Sequence, residues 1–403
     1  MKLISWWKEK SLISRILMGI FLGTILGLVC PKASFIGILG QVFVGALKAI
    51  APILVAVLVT SSIAKANGGL GLRFRTVILL YLLSTLLAAI VAVCGSFIFP
   101  ITLSLSGTTG EAIPGGLSDI FNSFVSNIVA NPIDSIAKAN YLGILFWAIV
   151  MGMALRCVAT ENTINAITDL SYAVSKAVKW IIGFAPFGVL GLVFSSISEN
   201  GPVIFYTYGK LIALLVGCML FSALVLNPLI VGLCLRTNPY PLVWKCLKES
   251  GLNAFFTRSS AANIPVNMNL CKRLGLEEDF YSVSIPLGAT INMNGAAVTI
   301  TVMTLAVCHT MGIHINPLST LLLCITATLA ACGSSGVAGG SLLLIPMACS
   351  LFGIDNNVAM QAVAVGFIIG VIQDSVETAL NSSGDVLFTA TAELLDRKKK
   401  HCN

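Results

Sequence analysis

Gly333-Ser334-Ser335-Gly336-Val337-Ala338-Gly339-Gly340 breaks an apolar run in the middle of segment 318–353. The segment reads as an apolar stretch, this small polar break, a second apolar stretch and a proline, and neither half reaches the roughly 20 residues that a membrane span needs. Segment 249–276 has the same form around Arg258-Ser259-Ser260-Ala261-Ala262-Asn263-Ile264-Pro265. Backbone at such a break has unpaired polar groups, so it has to be packed inside protein, as in a re-entrant hairpin. A helix is expected after each hairpin. The first carries Asn292-Met293-Asn294-Gly295 and the second Asn381-Ser382-Ser383-Gly384-Asp385. Hairpin and helix thus recur over 249–311 and 318–391, one entering from the cytoplasm and the other from outside. Inverted repeats built on interrupted apolar segments point to a transporter with its site at the midplane.

The rest of the chain agrees with a membrane setting. It has 403 residues, 57% hydrophobic and 10% charged, where a soluble domain carries about a quarter charged residues. Apolar runs predict spans over 13–30, 40–64, 75–99, 139–158, 171–197, 206–235, 280–311 and 357–391. The expected fold is an all-α membrane protein of about eight transmembrane helices plus the two hairpins. The net charge of +7 is a topology signal, which removes nucleic acid as a partner. Lys65, Arg73 and Arg75, then Lys176 and Lys179, then Arg236, Lys245, Lys248, Lys272 and Arg273 fall in loops on the side of the N-terminus. Basic residues bias loops to the cytoplasm, so both termini are expected there. The 12 cysteines are scattered without a C-x-x-C pair, and the three histidines form no metal motif. Residues 100–138, rich in Ser, Gly, Asn and Pro, read as an external loop.

Of the carboxylates, Asp374, Glu377 and Asp385 lie well inside an expected span, where ionisable groups are costly and mark function. Asp374, Thr378, Asn381 and Asp385 recur at steps of four, three and four and share one helix face, with Glu377 on its flank. The plainer alternative is an interhelical clamp, with Arg258 as its cation. Asn292 to Gly295 are poor helix formers, and local unwinding there would free carbonyl oxygens for a hard cation. A glycine packing contact is the alternative. Ser259, Ser260, Ser334 and Ser335 offer hydroxyls at the hairpin tips, beside freed backbone amides suited to a substrate carboxylate.

In this order, R-S-S, N-M-N-G, G-S-S-G-V-A-G-G and D-x-x-E-T-x-x-N-x-x-G-D resemble the dicarboxylate/amino acid:cation symporters, the glutamate transporter homologues. The resemblance extends over nearly the whole chain and is most specific over 250–390. It implies a homotrimer in the bacterial inner membrane and an elevator-type motion. Residues 1–74 and 139–205 would be scaffold, 75–138 the third helix of the transport unit with the external loop, 206–396 the rest of that unit, and 397–403 a basic cytoplasmic tail. Carried over, Asp374 would hold the substrate ammonium and Asn381 its backbone, with Thr378 beside them. Ser259, Ser260, Ser335, Gly336 and Val337 would surround its carboxylate. Sodium would take Asp385 with Gly288, Asn292 and Asn381, and at a second site Thr290, Met293 and Ser334, with backbone near Ala331 and Cys332. Tyr81, Ser84, Thr85 and Asn294 match a further sodium site.

Two departures bear on function. The family reads N-M-D-G-T where this chain has Asn292-Met293-Asn294-Gly295-Ala296, so the further site loses a carboxylate and a hydroxyl. Members with acidic substrates have an arginine where this chain has Glu377. The resemblance with these departures implies sodium-driven import of small neutral amino acids, serine and threonine, by a protein that is not an enzyme. The alternatives are a proton- or sodium-coupled carrier of dicarboxylates or acidic amino acids, an ion-conducting pore, and an intramembrane hydrolase using Ser259 or Ser260. The last lacks a histidine base in any expected midplane segment.

Overall fold

The computed structural model describes residues 10–65, 72–105, 129–332, 334 and 339–402. The described residues are helical, with no strand among them. Leu12–Val29 (α1), Gly37–Lys65 (α2) and Leu72–Ile98 (α3) are followed, after a short helix over Pro132–Ala137 inside the stretch read as a loop, by Tyr141–Val158 (α4), Glu161–Gly183 (α5), Ala185–Asn200 (α6) and Ile204–Leu235 (α7). Then come 240–257 (α8), Ser260–Arg273 (α9), Glu278–Ile291 (α10), Asn294–Thr310 (α11), Pro317–Ala331 (α12), Ile345–Ser350 (α13) and Asn356–Cys402 (α14). Among the described residues, five helices are long and apolar enough to cross a membrane, or six if the bent pair α5–α6 is one span. The apolar helices near Ser14–Val29, Gly143–Val158 and Pro317–Ala331 are shorter.

Two expectations are corrected. The span over 171–197 is not one helix. It breaks at Phe184 with a bend of 52°, because Pro186 follows directly and its ring cannot continue the preceding ladder. The amphipathic α5 lies on one side of the bend and the apolar α6 on the other. The last helix does not stop at 391 but runs on through the basic residues to Cys402. α14 is continuous over 47 residues. By contrast, the helix over 280–311 does break, at Asn292 and Met293.

Local chemistry sets the hairpin ends. Arg258 takes the left-handed conformation at φ 51° and closes α8, while the Ser259 hydroxyl accepts the Ala262 N–H at 3.2 Å and opens α9. α12 begins with Pro317 in its first turn and a capping box between Asn316 and Ser319. Buried amides fasten the first hairpin to α14: Asn263 Nδ2 donates to Ser382 Oγ at 2.7 Å, and Asn267 Nδ2 donates to the Ser382 carbonyl at 3.1 Å.

α1 lies along α6, and α2 packs on α4, α5 and α6. α3 and α7 to α13 gather around α14 or the all-buried α11. α11 is buried from Asn294 to Cys308, as a helix inside a bundle is, and its polar Asn294 and Thr299 meet side chains of neighbouring helices. Phe43 of α2 meets Phe367 of α14 edge to face, with ring centroids 5.1 Å apart.

At the basic end, Glu393 is fully buried. Its carboxylate accepts the Glu277 N–H at 3.0 Å and pairs with Arg397. Arg73 pairs with Glu277, and Asp396 with Lys400. Arg73 holds the Glu277 carboxyl below the usual carboxylate range, so that link is intact at neutral pH and is lost as the pH falls through the lowered value. Glu393→Ala breaks the pair with Arg397 and also strips the Glu277 N–H of its acceptor, and a buried donor left unpaired costs about 1–3 kcal/mol, whereas a partly exposed pair contributes about 1 or less. Glu393→Ala is therefore expected to lower the unfolding temperature in detergent more than Asp396→Ala. Equal shifts would contradict the reading of Glu393 as the anchor of this end.

Candidate functional site

The tip of the first hairpin, the break between α10 and α11 and one face of α14 converge on a small polar cavity. Asp374, Glu377, Thr378 and Asn381 line it from α14, Arg258, Ser259 and Ser260 from the first hairpin, and Met293 and Ser334 from the remaining sides. Thus Asp374, Glu377, Thr378 and Asn381, grouped on sequence spacing, are brought together with both hairpin serines. Ser335, Gly336 and Val337 lie outside the described residues.

Asp374 is already paired. Arg258 Nε donates to its Oδ2 at 2.7 Å, and the Gly339 N–H donates to its Oδ1 at 3.2 Å. Arg258 Nη2 also donates to the Gly370 carbonyl at 3.3 Å. The side chains of Arg258 and Asp374 are 11% and 5% exposed, so this ion pair is largely screened from water. The clamp considered for the polar face thus exists, but at Asp374 alone. Glu377 meets no cation among the described residues. It accepts from Thr299 Oγ1 at 2.7 Å, from Ser341 Oγ at 2.8 Å and from Gln373 Nε2. Asn381 Oδ1 accepts the Gly295 N–H at 2.7 Å and so caps the first turn of α11, while its Nδ2 faces Met293 Sδ at 3.4 Å. Thr378 Oγ1 donates back to the Asp374 carbonyl.

One turn further along α14, a second cluster is made of oxygens. Asp385 is fully buried. Asn292 Nδ2 donates to its Oδ1 at 3.0 Å and to the Asn381 carbonyl at 2.9 Å. Asp385 Oδ2 has no hydrogen-bond partner among the described residues. A buried carboxylate oxygen without a donor is costly, and a hard cation is the group that would satisfy it. Gly288 belongs to this cluster for a steric reason. A Cβ there would lie 2.9 Å from Asp385 Oδ1 and 2.8 Å from the Tyr81 hydroxyl. Thr290 Oγ1 donates to the Leu287 carbonyl at 2.7 Å. The second hairpin approaches the same break, where Cys332 Sγ lies 3.6 Å from the Ile291 carbonyl, and Ser334 Oγ donates to the Ala331 carbonyl at 2.8 Å.

The α3 group divides. Ser84 and Thr85 donate to Asn294 Oδ1 at 3.2 and 2.9 Å. The Tyr81 carbonyl joins them, 3.0 Å from Ser84 Oγ and 2.8 Å from Thr85 Oγ1, but the Tyr81 hydroxyl does not, reaching Thr389 Oγ1 at 2.9 Å and the Asp385 carbonyl at 3.1 Å. Asn294 Nδ2 points at Asn227 Oδ1, 3.4 Å away. Asn227 directly follows a π-helical turn in α7 over Ser222–Leu226, an irregularity common at functional sites. At Ser84 and Thr85 the Asn294 amide thus presents a neutral oxygen, without the negative charge of a carboxylate, and its nitrogen turns away toward Asn227. Residues not singled out in the sequence include Asn227, Ser284, Thr299, Ser341, Gln373 and Thr389. Gln373, a polar side chain in an apolar run directly before Asp374, was the one with a readable signal.

The chain is similar over nearly its whole length to known transporters. The chain is 57% identical over 384 residues to the serine/threonine transporter SstT of Bifidobacterium adolescentis, an alignment spanning 95% of this chain and 89% of that protein. The protein of the same name from Streptococcus agalactiae serotype III is 57% identical over 389 residues, 96% of each chain. That from Streptococcus thermophilus strain LMG 18311 is 54% identical over 400 residues, 99% of each. Residues 12–394 match the sequence profile of the sodium:dicarboxylate symporter family, and the chain belongs to that family.

Proposed function

We propose that this protein imports serine and threonine with sodium, as a homotrimer in the bacterial inner membrane with both termini in the cytoplasm. The observation that carries the substrate class is Glu377, a carboxyl lining the cavity beside Asp374 and Asn381. Family membership supports sodium coupling, and the names of the similar proteins support serine and threonine. In this reading eight spans and two hairpins form the fold. α1, α2 and α4 to α6 are scaffold, and α3 with α7 to α14 slides past them as an elevator.

Each part of a zwitterionic amino acid then has a counterpart. The carboxylate lies at Ser259, Ser260 and the second hairpin tip. The ammonium goes to Asp374, where it shares or displaces Arg258. The side-chain hydroxyl donates to Glu377. Sodium, the co-transported cation, is held by Asp385 with the oxygens of Gly288, Asn292 and Asn381, and at a second site by Thr290, Met293 and Ser334. At Ser84 and Thr85 the neutral Asn294 oxygen stands in place of a carboxylate and Ala296 offers no hydroxyl, which argues against a further sodium there.

Two outcomes test the assignment. Asp374→Asn removes the ammonium's partner and strands Arg258, a loss of about 2–5 kcal/mol for a buried pair. Serine uptake by purified protein in liposomes is expected to vanish while the protein still inserts and elutes as wild type. Near-normal uptake would remove Asp374 from the site.

The second concerns charge at Glu377. An ionised Glu377 about 4 Å from a second carboxylate repels it by ~4 kcal/mol at an effective dielectric of 20, roughly a thousandfold in affinity, and a neutral Glu377 discriminates less, by failing to pair that charge. Serine and threonine should therefore compete for labelled serine uptake, and aspartate poorly. Glu377→Arg should weaken serine and improve aspartate. Strong inhibition of the wild type by aspartate would instead favour a carrier of acidic substrates.

A further inference from the structure

Behind the cavity, three side chains from three elements meet on one oxygen. Thr299 of α11, Ser341 of the turn over Gly340–Leu344 and Gln373 of α14 all donate to Glu377 Oε2. Gln373 Nε2 also donates to Thr299 Oγ1 at 2.7 Å, which orients that hydroxyl toward the carboxyl. All three are essentially inaccessible to solvent, and none lines the cavity that Glu377 lines. Among the described residues, Oε1 has no protein partner. Gly295 completes the seat, since a Cβ there would lie 2.8 Å from Glu377 Cα and 3.0 Å from its Cγ. The carboxyl is thus fixed by its far oxygen, leaving the near one to face the substrate.

We infer that Thr299, Ser341 and Gln373 are positioning residues for side-chain selection, holding Glu377 so that Oε1 alone reads the substrate hydroxyl. The inference rests on the reading of Glu377 given above. An aimed acceptor discriminates strongly between a substrate with a hydroxyl and one without, because the unmatched site leaves a buried polar group unpaired. A carboxyl free to rotate finds other partners and discriminates less. Ser341 follows the second hairpin tip, so the seat is complete only while that arm lies against α14.

The test is the ratio of alanine to serine inhibition constants in competition against labelled serine. Ser341→Ala and Thr299→Val should each reduce the serine preference by up to about tenfold, the size of one hydrogen bond, while the alanine constant stays within about twofold. Thr299→Ser keeps the hydroxyl and should keep the wild-type ratio. Either loss variant suffices if the other does not fold. A merely structural role would raise both constants together, and that result overturns the inference. Glu377→Leu, which has no polar atom to offer the hydroxyl, separates the two levels. If it leaves the ratio unchanged, Glu377 does not read the side chain and both readings fall. If it lowers the ratio while Ser341→Ala and Thr299→Val do not, the positioning role alone is overturned.

Discussion

Inside hydrocarbon, every buried polar group must find its partner in the protein. In this chain the constraint concentrates on α14, which carries Asp374, Glu377, Asp385 and Glu393 buried along one helix. Each is satisfied differently: Asp374 by Arg258, Glu377 by three neutral donors, Asp385 by one amide with an oxygen left over, and Glu393 by an arginine and a backbone N–H. The first hairpin, the broken α10–α11 helix and the second hairpin arm are all placed where these carboxylates need them.

The differences in satisfaction divide structure from function. Glu393 is fully engaged and acts as an anchor. Asp385 retains an unmatched oxygen beside the Asn292 break, the chemistry a hard cation seeks. Asp374 has a partner that a substrate ammonium can replace charge for charge, so substrate entry need not leave a buried carboxylate bare. The ion pair with Arg258 therefore does not oppose a binding role for Asp374, since an exchangeable cation keeps the site neutral between substrates.

Much of this was legible in the sequence because membrane cost makes polar residues conspicuous. The spacing of Asp374, Thr378, Asn381 and Asp385 placed one face, and Asn292 to Gly295 marked a real break in the helix. Hidden features were those with ordinary explanations. Serine and threonine in apolar helices commonly bond back to their own carbonyls, as Thr328, Ser375 and Thr391 do here. Nothing local distinguished Thr299 or Ser341, whose hydroxyls reach across to Glu377 instead. The bend at Phe184 was hidden because Pro186 sits in an unbroken apolar run, and Glu393 because it lay just past the expected end of the last span.

The claim that one helix binds both a neutral amino acid and a driving cation is tested most directly by reversal potentials of serine flux in liposomes. With serine gradients fixed, the account predicts a reversal potential that moves with the sodium ratio and is indifferent to pH. A reversal potential that ignores sodium, or follows the proton gradient instead, would contradict it.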